Sequence, residues 1–221
     1  MDRYLLEAEL KRKIPLKTVY LVRHGQSTHN AHALGSLGAD LNDARYADAP
    51  LTPLGHRQAH SLAEEVARIS PELVVTSPMT RATQTCLAAC SLIPSVSPVV
   101  NQVCTERLAY SCDVGTPVSA LRDHFPSLDY GNVQPDCWWW SKPGTIPSVE
   151  NSVAHLRKNP PGAYIDVEPV EHVRKRVNDF RIWLLRRPES KIMVFAHGAF
   201  LRSFVGDNVR FDNAEMKKII L

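Results

Sequence analysis

Four short β-branched or apolar runs, Thr18 to Val22, Leu73 to Thr76, Val99 to Val103 and Ile192 to Ala196, alternate with segments of helical period. That alternation restricts the fold more than any other feature. Runs this short and this apolar read as buried strands, and strands separated by helices pair in parallel beneath a helical layer on each face. The expectation is an α/β fold of three layers, α/β/α, around a mostly parallel central sheet. Thr52 and Pro53 supply an N-cap and a first-turn proline, after which Leu54, Leu62, Val66 and Ile69 recur at helical spacing and should face the sheet. A second helix is expected from about Met79 to Leu92, with Met79, Ala82, Cys86 and Ala89 on one face and Pro94 beyond its end. A third runs from Val170 to Leu185. Its stripe is Val170, Val173, Val177, Phe180 and Leu184, while Arg174, Lys175 and Arg176 read as a solvated face.

The stretch from Glu106 to about Glu168 breaks this rhythm, being rich in proline and without a sustained period. Its aromatic content, including Trp138, Trp139 and Trp140, is too high for a disordered linker, so it reads as an irregular cap insertion within a single domain spanning 1–221. Three successive tryptophans cannot all point the same way. At least one is expected near the surface or lining a cleft, the alternative being ordinary packing of the cap.

Composition narrows the partners. The 26 basic and 23 acidic residues leave a formal charge of +3, too balanced for a nucleic-acid surface. No stretch approaches the roughly 20 apolar residues of a membrane span, and Met1 to Lys17 lacks the apolar core of a signal peptide. A soluble, cytoplasmic protein is expected, and its oligomeric state is not legible. The five cysteines, 86, 90, 104, 112 and 137, fit neither a disulfide framework nor a CxxC zinc site and read as reduced thiols.

In an open parallel sheet, ligands bind outside the carboxyl ends of the strands. Those positions hold Arg23-His24-Gly25 after the first run, Ser77-Pro78-Met79-Thr80-Arg81 after the second, Glu106 after the third and His197-Gly198 after the fourth. Two imidazoles, two guanidiniums and a carboxylate thus converge if the four strands are parallel. Arg81 near a helix start opposes the positive end of the helix dipole, which an anion would compensate; the plain alternative is a surface salt bridge. Glu106 alone could be an exposed loop carboxylate. A metal site built on His24, His29 and His32 is the competing idea, but no carboxylate or cysteine completes a tetrahedral set and Arg23 would repel a cation.

These blocks resemble the histidine phosphatase superfamily, the phosphoglycerate mutase-like family. Arg23-His24-Gly25-Gln26-Ser27-Thr28-His29-Asn30 is similar to its opening signature, followed in order by Leu51-Thr52-Pro53-Leu54-Gly55, by Ser77 to Thr85 and by Ala196-His197-Gly198. The resemblance implies that His24 is the phosphorylated nucleophile, that Arg23, Arg81 and His197 hold the phosphoryl group with help from Asn30, and that Glu106 is the proton donor. It implies no cofactor and no metal. The substrate would be a small phosphomonoester, with neither nucleic acid nor membrane as partner. A backbone carbonyl on the other ring nitrogen would set the tautomer that leaves His24 able to attack.

The glycolytic mutases of this family follow the acid with Arg-His-Tyr-Gly, whereas this chain reads Glu106-Arg107-Leu108-Ala109-Tyr110. Hydrolysis is therefore favoured over intramolecular transfer, with a non-catalytic phospho-ligand binding or interaction protein as the third reading. Arg107, Arg122, Lys142 and His155 are further candidate anion contacts, and the substrate itself is not legible.

Overall fold

The structure, a computed structural model, describes residues 16–35, 43–131, 133–141, 144, 148–149, 151–152 and 167–221. Five strands form one sheet: β1 (Thr18–Arg23), β2 (Leu73–Thr76), β3 (Val99–Val100), β4 (Lys191–Ala196) and β5 (Met216–Ile220), in the order β3-β2-β4-β1-β5. The first four run parallel, and β5 lies antiparallel to β1 at the edge. The sheet is mixed, with helices on both sides.

Strand alternation explains the two layers of core. Val19, Leu21, Leu73, Val75, Ile192 and Val194 project to one face, against α6 (Val170–Arg186) and α7 (Gly198–Val205). Val22, Val74, Met193 and Phe195 project to the other, against α3 (Ala63–Ile69) and α4 (Thr80–Ala89). On α6, Val173, Val177, Phe180 and Leu184 are buried as their spacing requires, each contributing about 1.5–3 kcal/mol by the area it removes from water. Met79, Ala82, Cys86 and Ala89 are likewise fully buried.

Several boundaries differ from the pattern in the sequence. The first helix, α1 (Thr28–Gly35), follows β1, and the segment from Thr52 makes not one helix but two, α2 (Pro53–His60) and α3, with the Ser61 hydroxyl donating to the Gln58 carbonyl at the break. Leu54 is 40% exposed and faces solvent, although Val66 reaches the core. The third strand ends after Val100 and not at Val103, because the Asn101 side chain accepts from Val103 N and turns the chain into a 3-10 helix, Gln102–Cys104. α4 stops at Ala89, short of Leu92. Val170 is exposed at the start of α6, and Arg176 is not solvated: it pairs with the fully buried Glu168. β5 carried no signal beyond a short apolar end.

The insertion has a core of its own. Val118 and Leu121 of α5 (Val118–His124) pack with Leu108, Val114, Leu128, Tyr130, Val133, Trp138 and Trp139, and Met79 and Val100 join this cluster to the sheet layer. Trp138 and Trp139 are buried edge to face, with ring centroids 5.7 Å apart, and Trp140 packs partly buried on the same cluster. Packing, then, accounts for the tryptophans. Among the described residues no helix is long and apolar enough to cross a membrane.

Candidate active site

Register brings the key groups together before any side chain is considered. Arg23 pairs with Ala196 across β1 and β4, and Thr76 pairs with Phe195 across β2 and β4. The next residues, His24, His197 and Ser77, therefore leave the sheet side by side, at a strand spacing of about 4.8 Å. The two imidazole centroids lie 5.2 Å apart. His197 Nε2 is 2.8 Å from the Ser77 hydroxyl, which also accepts from Met79 N.

The turn after β1 depends on two glycines. A Cβ on Gly25 would sit 2.6 Å from the Gly55 carbonyl oxygen, and one on Gly55 would strike the Gln26 carbonyl. Close backbone contact here links the Arg23-His24-Gly25 block to the block around Thr52. Thr52 caps α2 by accepting from Gly55 N and donates to the Gln26 side chain, while Gln84 accepts from Leu51 N and Thr85 from Gly25 N. The polar residues of the four blocks are thus mostly a scaffold for His24.

His24 itself is 3% exposed, and its Nδ1 lies 2.7 Å from the Gly25 carbonyl oxygen. A carbonyl only accepts, so Nδ1 carries the proton and Nε2 holds the lone pair. Burial, then Arg81 and Arg23, push its pKa well below the ordinary histidine value. The same causes, burial first and then Arg81, lower His197. Both rings are neutral at pH 7. His24 meets the two requirements of an imidazole nucleophile, a free lone pair and a fixed tautomer.

A cavity of about 650 Å³ opens over these groups, lined by Arg23, His24, Asn30, Arg81 and Glu106 among others. His197, fully buried beside His24, is the one proposed site residue that does not form its wall. Arg81 is no surface salt bridge: it donates to the Cys112 carbonyl at 2.6 Å and to Asp113 at 3.2 Å, both side chains being about 95% buried. Arg23 donates to the Phe211 carbonyl, and its Nε, like Nδ1 of His197, is buried without a hydrogen-bond partner among the described residues. Asn30 Oδ1 accepts from Ser27 N and from Asn213, so its amide nitrogen is the end that can donate to an anion. Such groups suit a tetrahedral oxyanion.

Glu106 is no idle loop carboxylate. Its Oε1 accepts from Arg107 N at 2.9 Å and Phe200 N at 3.2 Å, and its Oε2 from Ala199 N at 3.1 Å, across the first turn of α7. One lone pair remains, on Oε2.

Several neighbours carry no mark in the sequence. Asp113 comes from the insertion, where Ala109 N and Tyr110 N donate to it; burial raises its carboxyl to about 6, against the pull of Arg81 and with the push of Glu106. Asn213 donates to the His24 carbonyl from the loop before β5. Ser77 and Thr85 lie in the same sequence block as Arg81, and only that pattern marks them. Arg107, Arg202 and Arg210 also line the cavity. Arg122 does not, since it donates to the Tyr130 carbonyl and stacks on that ring, and Lys142 and His155 lie outside the described residues. His29 is buried against Tyr46 and Tyr110 with its pKa lowered to about 4 by burial, and His32 stacks on Tyr46 at 4.8 Å. Among the described residues no group of three or more His, Cys, Asp or Glu side chains could hold a metal ion.

Residues 19–106 match the model of the histidine phosphatase superfamily, branch 1. Phosphoglycerate mutase-like protein 2 of Arabidopsis thaliana is 43% identical over 93% of this chain and 74% of its own length. A putative phosphoserine phosphatase 2 of Hydrogenobacter thermophilus is 25% identical, covering 86% of this chain and 77% of its own. Among solved structures, a mycobacterial glucosyl-3-phosphoglycerate phosphatase has the same fold, with a TM-score of 0.58 at 17% identity over 93% of this chain and 91% of its own.

Proposed function

Since this chain belongs to the histidine phosphatase superfamily, we propose that it hydrolyses a small phosphomonoester through a phosphohistidine on His24. The observation that carries the reading is the Nδ1 contact to the Gly25 carbonyl, which leaves Nε2 of a buried, neutral ring as the nucleophile beside two arginines. Nε2 attacks phosphorus in line with the ester oxygen, and the P–O bond to the leaving group breaks as the P–N bond forms. Charge on the equatorial oxygens is met by Arg23, Arg81 and the amide of Asn30, and by Nδ1 of His197 when the Ser77 hydroxyl donates to Nε2. Glu106 delivers a proton from Oε2 to the departing oxygen, then accepts one from the water that attacks the phosphohistidine, and inorganic phosphate leaves.

Hydrolysis is preferred over transfer because Leu108 and Ala109 stand where the mutases of this family carry the polar residues after the acid. No residue in the proposed cycle needs a metal. A screen of phosphorylated metabolites for phosphate release, with 3-phosphoglycerate isomerisation run alongside and a chelator present throughout, tests the reading. Phosphate release from at least one phosphomonoester is expected; isomerisation without release would replace it with the mutase.

A further inference from the structure

Behind Glu106, away from the cavity, lies an ion pair that the proposed chemistry does not use. Arg176 Nε and Nη2 donate to Glu168 Oε1 and Oε2 at 2.6 and 2.8 Å. Nη1 donates to the carbonyls of Val103 at 2.6 Å and Thr105 at 3.1 Å, and Nη2 makes a longer contact, 3.4 Å, to the Glu106 carbonyl. All five N–H groups are engaged. Glu168, fully buried, is equally complete: Oε1 also takes His172 Nδ1 at 2.5 Å, and Oε2 takes Leu108 N at 3.2 Å. Its backbone closes the ring, with Glu168 N donating to the Leu108 carbonyl and Arg107 Nε to the Glu168 carbonyl.

A buried ion pair is weak ground for stability, because desolvation of two charges offsets most of their attraction. Its geometry points elsewhere. The backbone contacts it makes fall on Glu106 itself and on Val103, Thr105 and Leu108, which flank the acid on both sides. The guanidinium also lies over the Phe200 ring, 5.7 Å from its centroid, and Phe200 N is one of the three donors that hold the Glu106 carboxylate. Both supports of Glu106, its own backbone and the first turn of α7, are thus referenced to one side chain.

We propose that Arg176 and Glu168 are positioning residues that hold the Glu106 carboxyl at the leaving-group oxygen, and so set how poor a leaving group this enzyme accepts. The inference rests on Glu106 being the acid. A lysine at position 176 keeps the charge but has three donors and no fork, so it cannot fix the carbonyls and the carboxylate together. Displacement of a catalytic group by about 1 Å costs up to roughly 100-fold in rate, and only substrates that need the proton register it.

The test is kcat/KM, which reports the step that breaks the ester bond, across substituted phenyl phosphates from p-nitrophenyl to p-methoxyphenyl and an alkyl phosphate such as glycerol 3-phosphate. Glu106→Gln should steepen the dependence on leaving-group pKa. Arg176→Lys and Glu168→Gln should steepen it in the same sense, lowering the ratio of poor to good leaving-group turnover by about 10- to 100-fold. Should either single variant fail to fold, the apolar double replacement Arg176→Met with Glu168→Leu removes both buried charges together and is measured instead. A steeper slope in Glu106→Gln with a wild-type slope in the folded Arg176 and Glu168 variants overturns the positioning role and leaves the acid assignment standing. An unchanged slope in Glu106→Gln itself removes the acid assignment, and this inference with it.

Discussion

The site is made of two halves that are held in different ways. Arg23, His24, Arg81 and His197 stand at or just beyond the ends of strands, where sheet register and backbone contacts fix them. Glu106 and Asp113 stand at the root of an insertion with its own apolar cluster; both are held by backbone N–H donors, and the Glu168–Arg176 pair braces the backbone around Glu106. The first half suits the invariant part of any phosphomonoester, the phosphoryl group. In the proposed cycle the second half, through Glu106, serves what varies, the leaving group. A parallel sheet can keep its edge while an insertion changes, so under the proposed function the division would separate reaction from substrate.

Replacing Arg81 by alanine breaks the comparison most severely, since it joins the halves through Asp113. We expect kcat/KM to fall by about 10²–10³ on every substrate alike, the scale of losing one oxyanion donor, because the phosphoryl oxygens are common to all. Stability should fall by about 3–5 kcal/mol, since Asp113 is left buried without its partner. A loss confined to poor leaving groups would place Arg81 with the acid and erase the division. Denaturant unfolding between pH 7 and 5 checks the stability change in the same variant and in wild type.

Acid sharpens the comparison with a smaller effect. His24, His29 and His197 have folded pKa values below the ordinary 6.5, so as pH falls below 6.5 the unfolded chain binds protons that the folded chain refuses. His29, lowered to about 4, costs about 1.4 kcal/mol of stability per pH unit between those values, and His24 and His197 act in the same direction. Asp113 acts with the opposite sign. Its carboxyl is raised to about 6, so it contributes stability at low pH that is lost as pH rises through 6, and it offsets one histidine over the overlap. The net slope between pH 6 and 5 should be a loss of stability as pH falls, with protons taken up on unfolding. Asp113→Asn should steepen it. A flat profile would mean that the histidines at the sheet edge are not held neutral.

How much was legible in the sequence follows the same line. Strand-end chemistry is visible because a short apolar run followed by Arg23-His24 or His197 puts those residues at a strand end by local rules, and parallel pairing then brings the ends together. The phosphate half is readable for that reason. Arg176 looked like one of three solvated cations because its acceptor, Glu168, is eight residues away before the helix begins, and no period reveals a partner that arrives from a loop. Asp113 and Asn213 were silent in the same way. Leu54 misled for the opposite reason: it fitted a helical period that the break after His60 interrupts. The third strand ended early because one side chain, Asn101, outcompeted a β-branched run for its own backbone.

The central claim is that His24 carries the phosphoryl group on Nε2, the nitrogen left open by the Gly25 carbonyl. Rapid quenching during turnover of p-nitrophenyl phosphate under alkaline conditions, followed by phosphorus NMR and peptide mapping, measures it directly. The account predicts an acid-labile phosphoryl group on His24, bonded at Nε2 and absent from His24→Ala, whose turnover should fall by about 10⁴-fold or more. Phosphate bound at Nδ1, on another residue, or on none while turnover continues would contradict it.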